Sequence, residues 1–201
     1  IFVLFSILFP ETISFNFTGD IMTGSDYPSK YYLPPDNGKN YFKNVEIFLT
    51  NADYTVGNLE GVISDTKNST KKTKGRYSYA FRMPPYTAEL FKNSGFHIFN
   101  IANNHSLDFG LDGFNQTMFH LTNKNLMFFG LKEKALSITK NNIKIGMIGF
   151  TFSLAFNNIL DIKNSVLLVS NLSKDYDIFI VSFHGGSEGE NAVHVNRKNE
   201  F

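Results

Sequence analysis

Carboxylates, side-chain amides and imidazoles stand in four separate places where a short apolar run ends. Phe15-Asn16-Phe17-Thr18 leads into Gly19-Asp20, and Tyr54-Thr55-Val56 leads into Gly57-Asn58-Leu59-Glu60. Phe96 to Ile101 leads into Asn103-Asn104-His105, with Asp108 three residues on, and Ile178 to Val181 leads toward His184-Gly185-Gly186. These groups are the oxygen and nitrogen donors that hold divalent cations, and His, Asp and Glu also carry protons in catalysis. In an open α/β sheet, ligands gather at the carboxyl ends of the strands, so four such tips can meet at one site.

Each tip has its own chemistry. Asp20 precedes Ile21-Met22-Thr23-Gly24, where a carboxylate can bind a cation or accept hydrogen bonds from loop amides. Asn58 and Glu60 share a face if the strand runs on through them, one offering a neutral oxygen and the other an anion or a base. His105 can ligate a metal or protonate a leaving group, with Asp108 orienting its ring. Gly185 and Gly186 let backbone amides approach an anion beside His184, and Glu188 adds a carboxylate beyond them. Taken singly, each segment also reads as a cap, a tight turn or a loop bonded to its own backbone. His97, inside a strand, and His120, on a helix, read as structural.

The elements that must position these groups follow from pattern. Ile13 to Thr18 alternates and predicts a first strand. Pro28, Pro34, Pro35, Asn37 and Gly38 mark a loop from Ser25 to Asn40. Tyr41 to Leu49 predicts an amphipathic helix, with strands expected at 53–56 and 79–83. Pro84-Pro85 can open a helix carrying Ala88, Leu90 and Phe91 that ends near Gly95. A strand at 96–101, a helix from Leu111 to Asn123, and strands at 126–129, 143–150 and 177–183 complete an α/β pattern with no repeat and no linker. Lys67 to Arg76 is basic and non-periodic, as an exposed loop would be.

The 201 residues suit one domain with a real core, and 42% apolar with 18% charged residues excludes extensive disorder. A formal charge of +1 gives no general attraction to nucleic acid. With no cysteine, disulfides and thiolate zinc sites are excluded. Ile1 to Phe9 is apolar throughout, too short to span a membrane, and reads as the tail of a signal peptide or an anchor over 1–10, the domain itself filling 11–201. A buried first strand is the alternative. After His184 the chain carries Glu188, Glu190, His194, Arg197 and Lys198 without a closing element, which suits a tail or a domain lacking its last portion.

Gly19-Asp20-Ile21-Met22, Gly57-Asn58-Leu59-Glu60-Gly61, Arg82-Met83-Pro84, Ala102 to Gly110 and His184 to Gly189 together resemble the capsule-synthesis CapA family, or poly-γ-glutamate capsule (PGA_cap) domain, related to calcineurin-like metallophosphoesterases. The resemblance implies a metallophosphatase-like α/β sandwich of two mixed sheets flanked by helices, with the site at the sheet ends. It implies metal ligands among Asp20, Asn58, Glu60, Asn104, His105 and His184, catalytic roles for His105, Asp108 and Glu188, and a divalent manganese, iron or zinc ion. It further implies an exported or envelope-anchored protein acting on an anionic polymer such as poly-γ-glutamate, or on a small phosphoester or amide, beside capsule-assembly membrane proteins. A non-catalytic role in binding or exporting the polymer fits the same residues. The chain departs from the phosphoesterase pattern at Met22, where a second metal-binding His is usual, and at Asn58, where a bridging carboxylate is usual. The family's closing Gly-His-x-His segment would lie beyond Phe201.

Overall fold

Alternating apolar side chains on two sets of strands build two facing sheets. The computed structural model describes residues 12–71, 79–186 and 192. In chain order the elements are β1 (Phe15–Ile21), α1 (Glu46–Leu49), β2 (Tyr54–Leu59), β3 (Val62–Ile63), β4 (Arg82–Met83), α2 (Thr87–Asn93) and β5 (Ile98–Asn100). They continue as α3 (Gly110–Asn123), β6 (Met127–Phe129), β7 (Leu136–Lys140), β8 (Ile143–Thr151), β9 (Asn157–Asn158), α4 (Ile162–Leu172) and β10 (Ile178–His184).

The first sheet runs β1-β2-β5-β6 and is parallel throughout. The second runs β10-β8-β7 with β9 beside β8, and is mixed because β7 and β8 form an antiparallel hairpin. Asn141 and Asn142, both at positive φ, supply the two-residue turn that such a hairpin requires. The α/β sandwich expected from the sequence is therefore present, with one of its sheets mixed. Among the described residues, no helix is long and apolar enough to cross a membrane.

Two cores follow from strand alternation. Val56, Ile98, Phe129, Ile138, Ile145 and Met147 fill the space between the sheets. On the opposite face of the first sheet, Leu59, Phe96, Phe99 and Ile101 pack against Phe91 of α2 and Leu121 of α3. Burying each of these side chains stabilises the fold by roughly 2 kcal/mol. The inward rows turn polar toward the strand ends. Val56 is followed by Asn58 on β2 and Ile98 by Asn100 on β5, while Met147 on β8 is followed by Gly149 and Thr151. The surface that holds the sheets together thus becomes the floor of a polar site at their carboxyl ends.

Some local expectations change. The helix expected from Tyr41 shrinks to α1, because 38–45 forms i→i+3 turns, Tyr41 N–H to Gly38 O and Val45 N–H to Phe42 O. Phe42 is buried all the same. The strand at 53–56 extends through Leu59, and the strand at 79–83 reduces to β4. β7 and α4 were not expected. Asp161 caps α4 by accepting from Asn164 N–H. Ile1 to Phe9, Glu188, Glu190, His194, Arg197 and Lys198 lie outside the described residues.

At the far end of the sandwich, Asp53 accepts from the Ser14 amide at 2.8 Å and the Ser14 hydroxyl at 2.9 Å, and pairs with Lys140. The Lys140 bond and the two Ser14 bonds lower its carboxyl to about 2. A depressed carboxylate stabilises the fold fully above the unfolded value of about 3.9 and loses that contribution as pH falls through the folded value. Asp53→Asn should therefore lose less stability than the wild type between about pH 4 and pH 2, read from urea midpoints at each pH. Parallel pH curves would show that the clasp contributes nothing.

Candidate functional site

Asp20 reaches the site because β1 carries a bulge. Phe17 pairs with Val56, but the next pairing joins Asp20 to Asn58, three residues on against two. An extra residue at Thr18-Gly19 reverses which side chains face inward, so Asp20 joins the inward row with Asn58. A regular strand would have sent Asp20 to the opposite face.

Asn58 is the hub. Its Nδ2 lies 2.7 Å from Asp20 Oδ1 and 3.0 Å from His184 Nδ1, across the gap between the sheets. Its Oδ1 accepts from Asn100 Nδ2 at 3.1 Å and from Asn103 Nδ2 at 3.3 Å. Backbone groups set which way these amides turn. Asn100 Oδ1 accepts from the Ala102 amide and its Nδ2 donates to Ala102 O. Asn103 Nδ2 donates to Leu59 O while its Oδ1 accepts from the His105 amide. Both NH2 groups therefore point at Asn58, whose own NH2 must face Asp20 and His184. Gly149 permits this, because a Cβ there would collide with Asn100 Oδ1.

With Asn58 donating to His184 Nδ1, the proton of the neutral ring sits on Nε2, which lies 2.8 Å from Asn104 Oδ1. Asp20 Oδ1 lies 3.3 Å from His184 Nδ1, a charge pair once the ring is protonated. Once the ring is protonated, the hydrogen bond it donates from Nδ1 lowers the Asp20 carboxyl below its usual range, opposed by partial burial and helped by Asn58. Beside His184 in register lies Thr151, wholly buried, whose hydroxyl has no hydrogen-bond partner among the described residues.

A second centre adjoins the first through Asn103. His105 is buried, its Nδ1 2.7 Å from Asp108 Oδ2, and the Phe81 ring stacks on it at 4.2 Å. Asp108 also accepts from the Phe81 amide at 2.8 Å and pairs with Lys71 at 3.3 Å. The Asp108 carboxylate at 2.7 Å, nearer to Nδ1 than the Lys71 ammonium at 3.2 Å, keeps the proton on Nδ1. The ring turns Nε2 toward Glu60 Oε1, 3.7 Å away. Ser106 Oγ fixes the loop by donating to Ile101 O.

Residues 14–200 match the model of the bacterial capsule synthesis protein PGA_cap family. The chain belongs to that family. It is 27% identical over 199 residues to the PGA biosynthesis protein CapA of Bacillus subtilis, covering 90% of this chain and 51% of that one. It is 27% identical over 207 residues to the capsule biosynthesis protein CapA of Bacillus anthracis, covering 90% and 48%. The chain thus spans about half the length of the curated relatives it matches. A Staphylococcus aureus structure described as a 5′-nucleotidase in complex with alpha-ketoglutarate gives a TM-score of 0.48 at 14% identity, covering 88% of this chain and 38% of that one. At that distance the likeness says nothing about chemistry.

Within this family member the expected site residues divide into two groups. Asp20, Asn58, Asn104 and His184 form the first, and Glu60, His105 and Asp108 the second. Glu188 lies outside the described residues. Three features were missed: Asn100, Phe81 and the approach of Lys71 Nζ to His105 Nδ1 at 3.2 Å. Asn103 was named, without its bond to Asn58. An Asn two residues past Ile98, on the same inward row, was the available signal for Asn100. Lys71 belongs to a stretch read as an exposed loop. Ser69 and Thr70 instead pin its start to the backbone of Leu107 and Asp108.

Among the described residues, no three His, Asp or Glu side chains are grouped to hold a metal ion. Asp20 Oδ1 and His184 Nδ1, 3.3 Å apart, are close to the roughly 3 Å edge between two ligands of one ion bonded at about 2.1 Å. Between them, however, stands the Asn58 NH2, a donor that cannot ligate a cation.

Asp108 is the anchor of the second centre, so Asp108→Ala should lower unfolding free energy by about 3 kcal/mol, because a buried amide and a ring N–H lose their acceptor. An unchanged denaturation midpoint would contradict that role. Thr151→Val removes a hydroxyl that has no partner among the described residues and keeps the shape of the side chain. It should leave stability equal or raise it by up to about 1 kcal/mol, whereas a clear loss would mean the hydroxyl is bonded in solution.

Proposed function

We propose that this chain serves in the biosynthesis of a bacterial capsule or cell-envelope polymer of the poly-γ-glutamate type. In this reading its site carries out hydrolase-type proton transfer on an amide or phosphoester linkage. Family membership supports the process, and the His105 centre supports the chemistry. Asp108 holds Nδ1–H, leaving Nε2 beside Glu60 to take a proton or, once charged, to give one to a leaving group. Stacking on Phe81 and burial keep the ring in one orientation. Lys71, about one-third exposed, gives a positive charge at the edge for a carboxylate or phosphate of the substrate. On this reading the protein acts outside the cytoplasm, at the envelope, next to capsule-assembly membrane proteins.

A second reading, binding or export of the polymer without turnover, is favoured by one observation. Asp20, Asn58, His184 and Asn104 are joined to one another by hydrogen bonds, and among the described residues no three His, Asp or Glu side chains are grouped to hold a metal ion.

Incubation with γ-linked glutamate oligomers and with a generic phosphodiester separates the two. Turnover that falls by roughly 10²–10⁴-fold in His105→Ala, with the fold intact by circular dichroism, supports the proton-transfer site. Oligomer binding with no turnover, equal in wild type and His105→Ala, supports the binding role instead.

A further inference from the structure

Asn58 uses its whole hydrogen-bonding capacity. An amide has two N–H donors and an oxygen with two lone pairs. Here both donors are directed at Asp20 and His184, and both lone pairs accept from Asn100 and Asn103. The NH2 group, carrying partial positive charge, lies where a cation shared by Asp20 and His184 would sit. Turning the amide to offer its oxygen would break the contacts with Asp20, Asn100 and Asn103 and force His184 into its other tautomer. It would also set that oxygen against the Asp20 carboxylate and leave NH2 groups of Asn100 and Asn103 facing a third NH2.

We propose that Asn58 sets the metal content of this site: its clamped NH2 takes the place of a divalent cation between Asp20 and His184. The wild-type chain then binds such ions weakly, and a carboxylate at position 58 converts the pair into a cation site. Asp at 58 keeps the two contacts from Asn100 and Asn103, because its oxygen accepts as the amide oxygen does. Its other oxygen would sit where Nδ2 now lies, 2.7 Å from Asp20 Oδ1. Two carboxylates that close repel, and a divalent cation removes the repulsion while gaining His184 as a third ligand.

The test is calorimetry of the full chain with Mn2+ and with Zn2+, paired with thermal unfolding in chelator and in metal. Asn58→Asp should bind one ion per chain at least about tenfold more tightly than wild type. It should melt below wild type in chelator and regain that loss in metal, and Asn58→Asp with His184→Ala should lose the gain. The proposal is overturned if wild type already binds one ion as tightly as Asn58→Asp. It is equally overturned if Asn58→Ala abolishes wild-type binding, since the Asn58 oxygen would then be a ligand. Should Asn58→Asp not fold even with metal, the clamp does not accept a carboxylate and the proposal also fails. None of these readouts involves the polymer, so the outcome is separate from the turnover assay.

Discussion

One side-chain amide holds the carboxyl ends of the two sheets in register. Asn58 leaves the first sheet, contacts Asp20 on its neighbouring strand, and crosses to His184 on the second sheet. A polar group at such a boundary costs free energy unless it is hydrogen-bonded, and here every donor and acceptor of the amide is used. The geometry of Asp20, His184, Asn104 and, through Asn103, His105 depends on that one saturated group.

The packing below explains why the amide can be so exacting. Between the sheets the inward rows are apolar and tightly filled, from Val56 and Ile98 to Ile145 and Met147. That core fixes the separation and register of the strands, so the side chains one step further along cannot drift. Gly149 removes the side chain that would block Asn100, and the β1 bulge brings Asp20 round to the correct face. Core and site are successive rungs of the same ladders, and a change that reshapes the lower rung moves the upper one.

Much of this arrangement was legible in the sequence. Apolar runs that stop on Asp, Asn, Glu or His predicted four strand tips, and parallel strands bring such tips together. Most of what stayed hidden depends on structure that leaves no periodic trace. The bulge at Thr18-Gly19 inverts a face without altering composition. The clamp of Asn100 and Asn103 reads from sequence as ordinary turn chemistry, because its meaning lies in which backbone groups those amides meet. The start of the basic loop looks solvated until Ser69 and Thr70 are seen bonded to the Leu107-Asp108 backbone. α4 was missed although Ile162, Val166 and Val169 recur at helical spacing; in the fold none of its residues is buried.

The two imidazoles are held in opposite tautomers by these contacts, His184 protonated on Nε2 and His105 on Nδ1. Ring 15N chemical shifts of the two histidines, recorded where both rings are neutral, measure this directly. The account predicts a bare Nδ1 for His184 beside a bare Nε2 for His105, in slow exchange between tautomers. A bare Nε2 on His184 would mean that Asn58 does not donate to it, and the hub described above would be wrong.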